Sequence, residues 1–108
     1  MKSQPQIQQV DARTANQWAA AGKAVIIDVR EVDEHTEERI DGAILNPLSR
    51  FDPNLVPEAD AVILQCRSGK RSMDAASRLA AAGRADLYNL QGGIIAWQEA
   101  GLPVRRGR

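Results

Sequence analysis

Cys66 is the single cysteine of the chain, and it opens the run Cys66-Arg67-Ser68-Gly69-Lys70-Arg71-Ser72. Three cations, Arg67, Lys70 and Arg71, fall within the five positions after it. A short apolar stretch, Val62-Ile63-Leu64, leads into the cysteine. Beyond the turn, Met73, Ala76, Leu79 and Ala80 recur at helical spacing over Met73 to Ala82, with Gly83 placed to stop the helix. The pattern is a buried strand, a cationic turn and a helix. A helix N-terminus presents unpaired N–H groups and the positive end of its dipole. Successive N–H groups in a glycine-containing turn add a concave nest for an anion. A thiol in that cup ionises early, stabilised by the N–H groups and by Arg67, Lys70 and Arg71. The chemistry on offer is that of an activated thiolate facing an anion-binding loop. The plainer reading is an inert cysteine closing a buried strand, and the local crowding of cations argues against it.

The elements that must hold this loop follow from periodicity and punctuation. Residues 1–6 read as a loose leader and Ile7 to Val10 as a short edge strand. Asp11 caps a helix running to about Ala21, with Ala15, Trp18 and Ala19 on one face and Gly22 as its stop. Ala24 to Val29 is a continuous apolar strand, which implies cover on both faces. Arg30 leaves it, and Glu31 to Arg39 reads as a polar helix. Ile40-Asp41-Gly42-Ala43 is a turn and Ile44 to Asn46 a brief strand. Pro47 to Pro57 is a connection with room for one helical turn. Ala61 to Gln65 leads to Cys66. Ala85 to Leu90 is a further strand, and Gln91-Gly92-Gly93 permits a sharp reversal into a last helix, Ile94 to Ala100. Trp18 and Trp97 read as core. Residues 104–108 form a basic tail. Strands alternating with helices predict an α/β domain, a parallel sheet with helices on both faces. In such sheets ligands bind beyond the carboxyl ends of the strands, where Cys66 and Arg30 both lie.

Bulk properties narrow the function. The 108 residues suit a single domain, 1–108, with enough chain for a core without disulfides or metals. Fourteen basic and fourteen acidic residues cancel, so nothing global favours nucleic acid or a membrane surface, and the loop's charge points to a small anion. One cysteine and one histidine, His35, cannot build a cysteine-rich metal site. No metal or cofactor is expected. The first residues hold no apolar segment of signal-peptide length, and no run approaches a membrane span. A reducing cytoplasm is the expected location, and it suits a free thiol.

Four blocks together resemble the single-domain rhodanese family: Asp28-Val29-Arg30-Glu31, Ile40-Asp41-Gly42-Ala43, Cys66 to Ser72, and Leu90-Gln91-Gly92-Gly93-Ile94-Ile95-Ala96-Trp97. The match they mark covers nearly the whole chain in the right order, and the cysteine loop is the most diagnostic. The resemblance implies a three-layer α/β domain with a central five-stranded parallel sheet. It also implies thiosulfate sulfurtransferase chemistry through a persulfide on Cys66. The family's loop starts at its cysteine and runs six residues, here Cys66 to Arg71. One departure is Arg39, which stands where the family usually carries a histidine; the change bears on local packing.

On this reading Cys66 is the nucleophile, and the backbone N–H groups of Arg67 to Ser72 face developing negative charge. Arg67 and Lys70 face an anionic donor, and Arg71 braces the loop. Ser68 and Ser72 either cap the helix or bond the persulfide, with capping favoured for at least one. Asp28 is structural support, paired with Arg30; Arg30 either shares that role or helps hold the donor. Gly69 belongs to the nest, Gly92 and Gly93 are conformational, and His35, on a polar helix away from the loop, has no role. The sulfur donor is thiosulfate or a persulfide, the acceptor cyanide or a thiol supplied from outside, and either could be a protein. A protein-to-protein sulfur carrier and a non-catalytic regulatory module remain as alternatives. A cysteine phosphatase or arsenate reductase would need Cys-x5-Arg, and here Arg71 comes one position early.

Overall fold

In the computed structural model, which describes residues 7–107, the parallel sheet is built from residues with few options. β1 (Ile7–Val10) leads to α1 (Ala12–Ala20), whose N-cap Asp11 accepts the Thr14 N–H at 2.8 Å. That bond satisfies one of the helix's orphan donors. β2 (Ala24–Asp28) follows, then α2 (Val32–Glu37), β3 (Glu38–Arg39) and β4 (Ile44–Leu45). Two 3-10 turns, Leu48–Arg50 and Pro53–Leu55, fill the proline-rich connection where the sequence suggests one. β5 (Ala61–Gln65) is buried along its whole length. α3 (Lys70–Ala81), β6 (Leu87–Leu90), α4 (Gly93–Glu99) and β7 (Arg105–Arg106) complete the chain.

The main sheet has five parallel strands in the order β1-β6-β5-β2-β4, with β1 and β4 at its edges. Side chains alternate across it, so each face gains its own core. Val62, Leu64 and Cys66 pack with Ala75, Ala76 and Leu79 of α3. Ile26, Ile63 and Leu90 pack with Ala15 of α1 and with Ile94 and Trp97 of α4. The expected α/β architecture with helices on both faces is present.

Three expectations need correction or placement. The polar helix over Glu31 to Arg39 is shorter: α2 ends at Glu37, and Glu38–Arg39 turn into β3. The reason is tertiary, because β3 pairs antiparallel with β7 (Glu38 opposite Arg106, Arg39 opposite Arg105). The basic tail is therefore partly a strand. Residues 1–6, read as a leader, and Arg108 lie outside the described residues. No helix among the described residues is long and apolar enough to cross a membrane.

Candidate active site

β5 delivers Cys66 to the carboxyl end of the sheet, 1% exposed, and the chain then curls so that its N–H groups turn back on the sulfur. Gly69 makes the curl possible: its φ of 109° lies where a side chain is strained, and it is the residue before α3 begins. Its N–H donates to Cys66 Sγ at 3.0 Å. The Ser72 hydroxyl lies 3.4 Å from the same sulfur, and Ser72 is fully buried. Burial pushes the Cys66 thiol up. The Ser72 hydroxyl and the backbone N–H groups of Ser72, Gly69 and Ser68 outweigh burial and hold it below the ordinary thiol value. The contributions that oppose burial most strongly are these neutral hydrogen bonds, not the cations Arg67, Lys70 and Arg71 that the sequence places beside the thiol.

The outer surface of the loop is fixed by α4. Ile94 N–H donates to the Cys66 carbonyl at 2.9 Å and Ile95 N–H to the Arg67 carbonyl at 3.3 Å. With those carbonyls bound outside, the loop's N–H groups are left to face the sulfur. The contact requires glycine at 93: φ is +63°, and a Cβ there would stand 2.3 Å from the Arg67 carbonyl oxygen. Gly93 is conformational, as read from sequence, but its service is to this loop.

Arg71 forms a two-pronged pair with Glu34 of α2, Nη1 to Oε1 at 2.7 Å and Nη2 to Oε2 at 2.9 Å. The guanidinium lowers Glu34 to about 2, and the carboxylate in turn raises Arg71. Glu34 also accepts the Glu31 N–H at 3.0 Å, so the loop is pinned to the first turn of α2. Arg67, Ser68 and Lys70 are exposed, and among the described residues none of the three forms an ion pair. No side chain caps α3, because Gly69 occupies the cap position and Ser72 is turned inward. The expected serine cap is absent.

Arg30 and Asp28 lie on the α2 edge. Arg30 donates from Nε to Asp28 Oδ1 at 3.0 Å, from Nη2 to Asp28 Oδ2 at 2.8 Å, and from Nη2 to the Glu38 carbonyl at 2.7 Å. Both residues are buried, at 4% and 0% exposure. His35 Nδ1 sits 2.8 Å from Asp28 Oδ2. The expectation that His35 has no role is corrected: α2 folds it back over the strand end, where it completes the Asp28 cluster. Arg30 also lines a cavity of about 180 Å³ with Arg67, Glu34, Glu37, Glu38 and Gln98, a mixture of charge that gives an anion no dominant positive wall. Arg39, the departure from the family pattern, donates to the carbonyls of His35, Thr36 and Gly107 at 3.3, 3.2 and 2.6 Å. A cation there suits the C-terminal end of α2 and ties it to the tail.

The sequence reading missed Glu34 and Asn89. Ser72 donates to Asn89 Oδ1, and Asn89 Nδ2 donates to Gln9 Oε1 at 2.9 Å. No local pattern reports either contact, since Glu34 lies 37 residues from Arg71 and Asn89 lies 17 from Ser72. The one usable signal was a buried-strand position, Asn89, occupied by a polar residue.

A cysteine cradled by backbone N–H groups between a buried parallel strand and a helix defines a class of α/β domains built around one strand-end thiol. Comparison with known proteins makes the class specific. The rhodanese-like domain family matches residues 1–100, and the chain belongs to that family. A sulfurtransferase of Allochromatium vinosum is 32% identical over 101 residues, covering 91% of this chain and 94% of that protein. An uncharacterised protein of Synechocystis is 38% identical over 94 residues, covering 85% of this chain; the chain spans 52% of that relative's length. The crystal structure of a rhodanese-related protein from Thermoplasma volcanium superposes with a TM-score of 0.80 at 26% identity, covering 91% of this chain and 97% of that one.

Proposed function

We propose that this chain is a sulfurtransferase that carries a sulfane sulfur on Cys66, taken from thiosulfate or a persulfide donor and passed to cyanide or a thiol. In the first half-reaction Cys66 Sγ attacks the donor's outer sulfur. The donor's S–S bond breaks, and its electron pair leaves with sulfite when the donor is thiosulfate or with the donor's thiolate when it is a persulfide. In the second, the acceptor attacks the terminal sulfur of the persulfide, and Cys66 departs as a thiolate. Family membership and the relative that bears the sulfurtransferase name support this reading. The observation that carries it is Sγ held under the Gly69 N–H at 3.0 Å in a six-residue loop, Cys66 to Arg71. Donors so placed stabilise charge on sulfur without reorganising. Arg67 and Lys70, exposed at the rim, attract the anionic donor, while Arg71, engaged by Glu34, braces the loop. Asp28 is structural support for Arg30, and Arg30 contributes to the donor's surroundings from the edge. A reducing intracellular compartment fits a working thiol.

Sulfur transfer from thiosulfate to cyanide, measured beside transfer from a protein persulfide, tests the proposal. The native protein gains one sulfur atom by mass on Cys66 and turns over, and Cys66→Ala does neither while keeping its fold. Turnover by Cys66→Ala, or no sulfur loading from either donor, overturns it. The ratio of the two native rates separates a small-molecule enzyme from a protein-to-protein carrier. Efficient aryl-phosphate hydrolysis by the native chain would promote phosphatase chemistry instead.

A further inference from the structure

Ser72 has one hydroxyl proton and two buried acceptors for it. One is Asn89 Oδ1, to which it donates; the other is Cys66 Sγ, at 3.4 Å. Exposure is 0% for Ser72, 4% for Asn89 and 1% for Cys66, so bulk water offers no third partner. Asn89 is held with its oxygen toward Ser72, because its Nδ2 is committed to Gln9 Oε1 at 2.9 Å and Gln9 Nε2 in turn rests on Met73 Sδ at 3.6 Å. Asn89 stands opposite Leu64 in the β5–β6 register, two residues before Cys66. Asn89 Oδ1 is thus a second acceptor for the hydroxyl that also lies beside Cys66 Sγ.

We infer that Asn89 is a positioning residue that sets how readily Cys66 ionises and departs, by competing with its sulfur for the Ser72 hydroxyl proton. The inference rests on the sulfur-transfer reading for its use in turnover, though not for its test. A neutral thiol donates its own S–H toward Ser72 Oγ and leaves the hydroxyl on Asn89. A thiolate draws the hydroxyl to Sγ and leaves Asn89 Oδ1 without it. In a Cys66 persulfide the inner sulfur is uncharged, so the hydroxyl returns to Asn89. When an acceptor takes the outer sulfur, charge reappears on Sγ and the hydroxyl turns again. Only a bond rotation is required. The competing acceptor keeps the thiolate from being over-stabilised, which matters because nucleophilicity falls as a thiol becomes more acidic.

On the β2 and α2 side of the loop stand the buried Asp28–Arg30 pair with His35, and Glu31. Arg71, on α3, acts on Cys66 through its charge and is balanced by Glu34 of α2. Arg67 and Lys70 are exposed at the rim. β6 and β1 present Asn89 and Gln9, neither of which ionises, and α4 presents Gly93 and Ile94.

The test is the pH dependence of iodoacetamide alkylation at Cys66 in four proteins: native, Ser72→Ala, Asn89→Leu and the double variant. Removing the donor in Ser72→Ala raises the midpoint, on the order of one pH unit for a hydrogen bond to a charged group. Removing the competitor in Asn89→Leu lowers it by a fraction of that, and the same change made in Ser72→Ala has no effect. A structural role for Asn89 would loosen the loop and raise the midpoint in both backgrounds. A midpoint that is unchanged or raised in Asn89→Leu, or shifted equally with and without Ser72, overturns the inference. If Asn89→Leu does not fold, Asn89→Asp serves: it raises the midpoint, and by less when Ser72 is Ala. An equal rise in both backgrounds rejects the competition. Alkylation reads the ionisation of Cys66 whatever sulfur compound it serves, so failure of sulfur transfer and failure of this inference are separate results.

Discussion

On the α3 side of the loop, Cys66 is surrounded by neutral groups: the Gly69 N–H, the Ser72 hydroxyl and, behind it, Asn89. On the α2 side ion pairs take over, Asp28 with Arg30 and Glu34 with Arg71, and His35 Nδ1 meets the Asp28 carboxylate. The two sides do different work. Short neutral donors around a buried sulfur change the energy of one atom's charge and need no counter-ion of their own. Long charged side chains cross between elements, where a two-pronged pair fixes distance and direction. The cations nearest the cysteine in sequence are thus not uniformly its stabilisers. Arg71 serves as a strut, and Arg67 and Lys70 stand at the rim.

Breaking the scaffold under the neutral side has the largest effect on sulfur transfer. Gly93→Ala places a Cβ 2.3 Å from the Arg67 carbonyl oxygen at a φ of +63°. The loop must move, so sulfur transfer falls at least tenfold and the thermal midpoint drops with a loss of about 2 kcal/mol or more. Native-like activity in this variant would mean the α4 contact does not hold the loop.

On the charged side, Asp28→Ala leaves Arg30 buried at 4% exposure without its carboxylate. Breaking a buried pair costs roughly 3–5 kcal/mol, and denaturant unfolding reads it directly. The Cys66 alkylation midpoint, measured under folding conditions, should move far less than in Ser72→Ala. A larger move would merge the two sides into one electrostatic unit.

Glu34→Gln sharpens the comparison at intermediate cost. Both partners are partly exposed, so loss of the Arg71 pair destabilises by about 1 kcal/mol. The sign with pH is determined by the direction of the shift. Glu34 is lowered from 4.5 to about 2, so its stabilisation is present above the unfolded value and is lost as pH falls from near 4.5 through about 2. Stability of native and Glu34→Gln proteins should converge across that window; a gap that persists unchanged at its acid end rejects the pair as the cause. The smallest effect belongs to Arg106→Ala, whose pair with Glu38 at 3.0 Å is exposed on the arginine side; stability changes by about 0.5 kcal/mol or less.

Most of the fold was legible in the sequence because its signals are local. The apolar runs at Ala24 to Val29 and Ala61 to Gln65, the Asp11 cap, and Gly22 and Gly83 at helix ends each act over a few residues. Where a local preference meets a distant partner, the partner decides. Glu38–Arg39 look helical with Glu31 to Glu37, and become a strand because Arg105–Arg106 pair with them.

By itself the sequence determined the identity of the thiol, the strand–loop–helix that holds it and the glycine that lets the loop turn, since Cys66 to Ser72 are contiguous and backbone geometry there follows residue type. Tertiary structure alone decided the partners. Glu34 meets Arg71, His35 meets Asp28, Asn89 meets Ser72, and Gly93 admits the Arg67 carbonyl only because helices and strands far apart in the chain are packed to ångström tolerance. A side-chain hydrogen bond depends on distance and direction between two elements, and no periodicity within either element encodes them.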